Sequence, residues 1–214
     1  MSIPDPIWIY RITHIANLEY DLRNGLFTAN SSYVNPNYKQ IGDSSLIDYR
    51  KVIPAIDPPG GSLSDYIPFY FGSRSPMLYQ IVTGWEDIMK YPQQEIIYYI
   101  SSVPTIKQYE LIYFFTDGHA RSLTSTFYNT DADFTQLDWD AIKATYWKSD
   151  ETDLRRKEKK QSEFFIKHHV PIGCIQYIGV YNKQAEQNVL ILLTNNQLSI
   201  PVRISPKQLY YDHL

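Results

Sequence analysis

The chain has 214 residues, which is enough for one folded domain with a sizeable core. Its net charge of −3 excludes a protein coated with positive charge, so contact with nucleic acid would have to be local. The single cysteine, Cys174, excludes a disulfide framework and a cysteine-based metal site. With no signal-peptide pattern and no apolar run long enough for a bilayer, the sequence predicts a cytoplasmic protein without a membrane segment.

The first half of the chain predicts short strands and short helices. Residues 8–13 alternate bulky and β-branched side chains and predict a strand, after which His14 stands at the turn into a short helix that ends at residues 24–25. Another short helix is predicted over residues 43–51. Further strands are predicted at 64–71, 95–100 and 111–115, with short helices at 77–82 and 104–108.

The second half mixes the two element types without a regular order. The turn at residues 116–120 places His119 at the end of a strand, where loops present functional side chains. A helix is predicted from Asp138 to Trp147, and a basic helix follows. Strands are then predicted at 164–166, 174–180 and 198–204, with a helix at 183–193. Because regular βαβ alternation is lacking, the predicted fold class is α+β.

The densest local positive charge lies in residues 153–163. Its cations are Arg155, Arg156, Lys157, Lys159 and Lys160. The chain becomes hydrophobic directly after Glu163, so this acid is predicted to be an exposed residue at the rim of the fold. If the helix continues to Glu163, the cations and the acid lie on one helix face. If Glu163 instead begins a strand, the cations still lie directly before it in the chain. A phosphate chain bound there would pass close to Glu163, although a solvated, charged helix is the plainer interpretation.

Common motifs for nucleotide binding, zinc-protease and serine-hydrolase chemistry are absent from the sequence. His168 and His169 are adjacent, and adjacent residues of a strand point to opposite faces, so no metal site is predicted. A scattered set remains: His14, Arg50, Arg74, His119, Gln161 and Glu163, with aromatic residues at 66–71. These residue types suit displacement of nicotinamide from a bound dinucleotide, because a carboxylate stabilises an oxocarbenium-like centre, arginine clamps pyrophosphate and aromatic rings stack on bases.

Five segments carry a resemblance to a known family. They are residues 10–18, 65–71, 74–79, 116–120 and 161–164, which read YRITHIANL, DYIPFYF, RSPMLY, TDGHA and QSEF. Residues 127–129 and 137–139 also fit. In order and spacing, these segments resemble the DarT family of DNA ADP-ribosyltransferase toxins, whose partner is the macrodomain antitoxin DarG. The likeness runs from about Trp8 to the C-terminus.

The resemblance implies a single ADP-ribosyltransferase domain over residues 1–214, with a split β core and helical decorations. It implies that NAD⁺ is the co-substrate and that ADP-ribose is transferred to a base of single-stranded DNA, with thymidine as the expected acceptor and guanosine in another branch. The expected partners are single-stranded DNA and a macrodomain antitoxin of the DarG type. Two alternatives stay open: an acceptor in protein or RNA, and a non-catalytic nucleic-acid-binding module.

The same resemblance implies roles for individual residues. The expected catalytic residues are Glu163, Arg50 and His119, although the segment 49–51 reads Tyr-Arg-Lys where the family has a doubled arginine. The expected NAD⁺ contacts are His14, Thr13, Arg50, Tyr70 and Phe71. The expected DNA contacts are Arg74, Arg155, Arg156 and Lys159. Thymine N3 must lose a proton before it attacks, and either Arg50 or His119 is chemically suited to assist that step.

Overall fold

The computed structural model describes residues 2–85 and 88–211. Its strands are β1 (Trp8–His14), β2 (Leu26–Phe27), β3 (Tyr66–Tyr70), β4 (Ile96–Ser102), β5 (Tyr113–Thr116), β6 (Phe127–Tyr128), β7 (Glu163–Lys167), β8 (His169–Val170), β9 (Tyr177–Val180) and β10 (Val202–Ile204). Its α-helices are α1 (Leu18–Asn24), α2 (Ser44–Val52), α3 (Pro76–Thr83), α4 (Val103–Gln108), α5 (Trp139–Lys143), α6 (Arg156–Lys159), α7 (Lys183–Asn195) and α8 (Pro206–Leu209). The elements predicted above for the first half of the chain are present, and a further short helix that the sequence favours at residues 85–89 lies partly outside the described residues.

Eight of these strands form one mixed sheet in the order β10-β9-β4-β1-β3-β7-β5-β6. Neighbouring strands are antiparallel except β9 and β10, which run parallel. The short strands β2 and β8 pair separately. A mixed sheet with interspersed short helices confirms the predicted α+β class.

The sheet is parted between β1 and β3. β1 pairs with β4 along its whole length, but with β3 only where Tyr10 lies opposite Tyr70. Past that pair the two strands separate. The Arg11 side chain bridges the gap, since one of its guanidinium nitrogens donates to the Pro68 carbonyl at 2.9 Å. The predicted split of the β core corresponds to this separation, which opens a cleft in the middle of the sheet.

Buried tyrosines build much of the core on the β4 side of the cleft. Tyr98, Tyr99 and Tyr210 are almost completely buried, and each hydroxyl has a partner. Tyr98 donates to the Leu209 carbonyl at 2.8 Å, and Tyr99 donates to the Asp21 carboxylate at 2.8 Å. A buried phenol without such a partner would be costly, so these tyrosines serve packing rather than ligand binding.

Phe71, expected to contact NAD⁺, belongs to the core instead. It is 4% exposed and meets the rings of Phe115, Phe134, Trp139 and Phe164 edge to face. Such edge-to-face clusters stabilise a core beyond simple burial of area. The side chain does not line the cleft at the sheet's separation, so in this structure Phe71 serves packing, and its contact with NAD⁺ stays a prediction.

The region between β6 and β7 is less helical than the sequence predicts. α5 ends at Lys143 rather than at Trp147, because Ala144 turns to an extended backbone with ψ of 132°. α6 is a single turn, and Glu163 begins β7, where it lies opposite Tyr70. The alternative in which one helix continues to Glu163 and shares a face with it is therefore wrong. Pairing with β3 outweighs the local helical pattern.

Candidate active site

Glu163 is the buried acid of the site. Its side chain is 0% exposed, and both carboxylate oxygens are occupied. Oε1 accepts from an Arg50 guanidinium nitrogen at 2.7 Å, and Oε2 accepts from the backbone N–H of Ala120 at 2.8 Å. The expectation of an exposed rim acid was wrong, because β3 and β5 flank β7 on either side. Two donors of this kind hold an ionised carboxylate in one orientation.

α2 brings Arg50 to the acid. Asp43 caps the start of the helix, where its side chain accepts from the Ser45 backbone N–H at 2.8 Å, and Arg50 lies in the last turn. The Arg50 side chain is 22% exposed and lies 5.7 Å from the centre of the Phe165 ring. Lys51 instead pairs with Asp48 on the surface. Arg50 rather than its neighbour therefore reaches Glu163, despite the missing second arginine.

A cleft of ≈ 360 Å³ opens where β1 and β3 separate. Arg11 and Ile12 line it from β1, Pro68 and Tyr70 from β3, and Arg50 from α2. It therefore reaches from the parted strands to the arginine that holds Glu163. A concave site with a few convergent polar groups is the usual form of a small-ligand site.

Tyr70 connects the cleft to the acid. It lies opposite Glu163 in the β3–β7 pairing, and its hydroxyl approaches the sulfur of Met77 at 3.6 Å. Burial raises the pKa of Tyr70 above its ordinary value, and the negative charge of Glu163 raises it further. The phenol therefore stays protonated at neutral pH and is available as a hydrogen-bond donor.

Arg11 was missed as a site residue at the sequence level. It is half-buried, lines the cleft and makes the hydrogen bond to Pro68. Within residues 2–85 and 88–211 it has no carboxylate at ion-pair distance. The available signal was a charged side chain inside a predicted core strand, since buried arginines normally have a partner or a ligand.

His14 and Thr13 lie at the end of β1 and are not among the residues that line the cleft. His14 Nδ1 accepts from the Ala16 backbone N–H at 3.0 Å, which leaves Nε2 to donate to Glu95 at 3.0 Å. Burial lowers the pKa of His14, against the opposing effect of Glu95. Thr13 accepts from Asn17 at 3.0 Å. Their contacts with NAD⁺ stay predictions, and in this structure both residues fix the end of β1.

His119 lies beside the Glu163–Arg50 pair, on the turn after β5. Its Nδ1 accepts from the Arg121 backbone N–H at 3.1 Å, so the neutral ring carries its proton on Nε2. Burial lowers the pKa of His119, Glu163 opposes that shift, and Arg50 and Arg121 add to it. At neutral pH the ring is therefore neutral. The structure brings Glu163, Arg50 and His119 together, as the sequence predicts.

The cations predicted to bind DNA are paired within the protein. Arg155 meets Glu158 at 2.5 Å, and Arg156 meets Asp150 at 2.5 Å. Lys159 pairs with both Asp138 and Asp153. Arg74 donates to the Thr145 hydroxyl, and Gln161 donates to the Lys157 carbonyl. The DNA contacts of these residues stay predictions, and three of the four cations would have to exchange carboxylate partners for phosphate.

A model of the family described as ssDNA thymidine ADP-ribosyltransferase, DarT, matches residues 10–211 of the chain. The chain belongs to the DarT family. A DNA ADP-ribosyl transferase from Thermus sp. (strain 2.9) is 38% identical over 192 residues, which is 90% of this chain and 90% of that protein.

Two solved DarT structures share the fold. Thermus sp. 2.9 DarT in complex with ADP-ribosylated ssDNA superposes with a TM-score of 0.89 at 34% identity, covering 98% of this chain and 99% of that one. The same protein in complex with NAD⁺ superposes with a TM-score of 0.84 at 33% identity, covering 98% of this chain and 100% of that one. DarT membership thus confirms the predicted enzyme class, an NAD⁺-dependent DNA ADP-ribosyltransferase.

None of the helices within residues 2–85 and 88–211 has the length and apolar content needed to cross a membrane. Over those same ranges, no three His, Cys, Asp or Glu side chains are grouped so as to hold a metal ion.

Proposed function

We propose that the chain transfers ADP-ribose from NAD⁺ to a thymidine base of single-stranded DNA, releasing nicotinamide, with Glu163 as the catalytic carboxylate. The observation that carries the residue assignment is the buried Glu163 carboxylate, held by Arg50 and by the Ala120 backbone N–H beside the cleft. Membership of the DarT family supports the choice of DNA and thymidine.

The reaction replaces one bond to the ribose C1′ with another. The bond from C1′ to the nicotinamide nitrogen breaks, and nicotinamide leaves with the electron pair. An oxocarbenium-like centre develops on the ribose, which the negative charge of Glu163 stabilises. Thymine N3 supplies the electron pair of the new bond, and its proton passes to solvent or to a base.

Two observations favour Arg50 over His119 in assisting loss of that proton. His119 Nδ1 already accepts a backbone N–H, and Nε2 of the neutral ring carries the proton, so this tautomer has no free nitrogen to act as a base. Arg50 is partly exposed at the cleft, and its positive charge favours the deprotonated thymine. In this proposal His119 donates a hydrogen bond from Nε2.

The cleft at the sheet's separation is the proposed NAD⁺ site. Arg11 suits the pyrophosphate, because it lines the cleft without a carboxylate at ion-pair distance in the described residues. Tyr70 offers a protonated hydroxyl and an aromatic face close to Glu163. Glu163 and NAD⁺ would then meet at the end of the cleft where Arg50 lies.

Three further parts of the proposal rest on family membership. The chain acts as the toxin of a toxin–antitoxin pair, its antitoxin is a macrodomain protein of the DarG type, and it acts in the cytoplasm, where DNA is available. That one domain spans residues 1–214 stays a prediction, and the family match over residues 10–211 supports it.

Nicotinamide release in the presence of different acceptors tests this proposal. We expect thymidine-containing single-stranded DNA to accelerate release strongly. The matched duplex should do so weakly, because a base must leave the stack to reach an enclosed site. Acceleration by RNA or protein instead would favour the other acceptor classes. No release with any acceptor would favour a non-catalytic binding module.

A further inference from the structure

Arg121 lies on the loop of residues 117–126 that joins β5 to β6, the β5–β6 loop. Its side chain is exposed, and its guanidinium carbon lies 4.8 Å from the centre of the Tyr49 ring. Among the residues that the structure describes, no carboxylate lies at ion-pair distance from it. The backbone N–H of Arg121 donates to His119 Nδ1. The backbone of the residue is therefore fixed, while its guanidinium has no ion-pair partner among the described residues.

Both members of this stack adjoin the contacts that hold the catalytic acid. Arg121 directly follows Ala120, whose N–H donates to Glu163 Oε2. Tyr49 directly precedes Arg50, which donates to Glu163 Oε1. The guanidinium therefore lies at the rim of the site, between the β5–β6 loop and α2.

Paired charges of the basic segment hold the β5–β6 loop in place. Arg155 donates to the Thr124 carbonyl at 2.9 Å, and the Thr124 hydroxyl donates to the Glu158 carboxylate at 2.8 Å. Arg155 and Glu158 also pair with each other. Leu123, at the tip between these contacts, is 99% exposed.

We propose that Arg121, stacked on Tyr49, binds a backbone phosphate of the DNA strand beside the target thymidine. The stack restricts the guanidinium while leaving its N–H edges free, and such edges match phosphate oxygens. The exposed Leu123 side chain offers an apolar surface to a neighbouring unstacked base. Arg155 is then a positioning residue that acts through the loop. This inference rests on the proposed function for the identity of the strand.

The chain contains a matched control for this stack. Arg203, on β10, lies 3.6 Å from the centre of the Tyr177 ring and is also exposed. β10 is at the opposite edge of the sheet from the β5–β6 loop. Arg203→Ala removes the same charge and the same kind of stack, far from Glu163.

The test measures binding of a labelled thymidine oligonucleotide and its modification, each across a salt series. Arg121→Ala should weaken binding about tenfold, as expected for a lost charge-assisted hydrogen bond. It should also lower the slope of log affinity against log salt by about 0.7, the value for one phosphate on a single strand. Arg121→Lys should restore the slope, and Arg203→Ala should match the wild type.

Arg155→Ala distinguishes a residue that positions the β5–β6 loop from one that contacts the DNA. It should slow modification while leaving the salt slope of binding unchanged. The inference is overturned if Arg121→Ala behaves like Arg203→Ala, or if the slope falls for Arg155→Ala and not for Arg121→Ala. A wild-type protein that binds the oligonucleotide without modifying it would instead overturn the proposed function, and the binding slopes would still decide the role of Arg121.

Discussion

The basic segment and the rim of the cleft both contain arginines, but those of the basic segment are paired with carboxylates and those at the rim are not. Arg155 and Arg156 each lie 2.5 Å from a carboxylate oxygen. Arg11 and Arg121 meet no carboxylate at ion-pair distance in residues 2–85 and 88–211. A dense run of positive charge is therefore largely neutralised by its neighbours, whereas Arg11 and Arg121, the two arginines that we propose bind ligands, have no such ion pair among the described residues. Charge density along a sequence does not reveal which cations are available.

Arg50 falls between the two cases, because its carboxylate partner, Glu163, is the proposed catalytic acid. The pair is buried on the Glu163 side and partly exposed on the Arg50 side. The Arg155–Glu158 pair holds the β5–β6 loop in place, whereas the Arg50–Glu163 pair orients the proposed catalytic carboxylate. Substitutions at the paired and the unpaired arginines, and at Glu163, separate these roles.

Glu163→Gln should lower DNA modification by about 10²–10³-fold or more, since it removes the negative charge that stabilises the ribosyl centre. Glutamine has the same shape and can still accept from the Ala120 N–H. The measurement is initial rate with NAD⁺ and a thymidine oligonucleotide, with calorimetric NAD⁺ binding as the control. A folded variant within tenfold of wild-type activity would remove Glu163 from the mechanism.

Arg50→Ala should abolish most activity and also reduce the free energy of unfolding by about 3 kcal/mol. It leaves the buried Glu163 carboxylate with one backbone donor, and breaking a buried ion pair from one side is costly. Arg50→Lys keeps a cation near the acid and should recover part of the stability. Urea unfolding of the three proteins measures this, and equal stability of Arg50→Ala and wild type would speak against the ion pair.

Arg11→Ala should raise KM for NAD⁺ about tenfold at saturating DNA, with a smaller change in kcat, because it removes a charged contact to the cofactor. The matched control is Arg203→Ala, an arginine remote from the cleft. If instead kcat falls and KM is unchanged, Arg11 holds the parted strands in place rather than the pyrophosphate.

Arg156→Ala should have the smallest effect, changing DNA modification by less than about twofold. The substitution removes a surface ion pair, and such pairs contribute little to the free energy of folding. Its guanidinium is already engaged by Asp150 and the Thr152 hydroxyl. The measurement is modification rate across a salt series. A flattened salt dependence would restore the direct DNA contact that the sequence predicts for this residue.

Local sequence signals predicted the elements well. Asp43 caps α2 as expected, and β1 and β4 follow their β-branched and aromatic patterns. These features depend on residues a few positions apart, so short-range patterns carry them.

The site depends on longer connections. Arg50 and Glu163 are 113 residues apart, and Ala120 and Glu163 are 43 apart. No local pattern joins them, so their meeting could be expected only from the family resemblance. The pairing of Arg155 with the Thr124 carbonyl, 31 residues away, had no sequence signal. The core position of Phe71 had no sequence signal either, since an aromatic residue beside a cleft and one inside a core have the same local pattern.

The most direct test of the account is the identity of the modified nucleoside. A single-stranded oligonucleotide with one thymidine is incubated with NAD⁺ and the wild-type protein or Glu163→Gln, then digested and analysed by mass spectrometry. The account predicts ADP-ribosyl thymidine from the wild type alone, with NAD⁺ binding retained in the variant. ADP-ribose on another base, or equal transfer by Glu163→Gln, would contradict it.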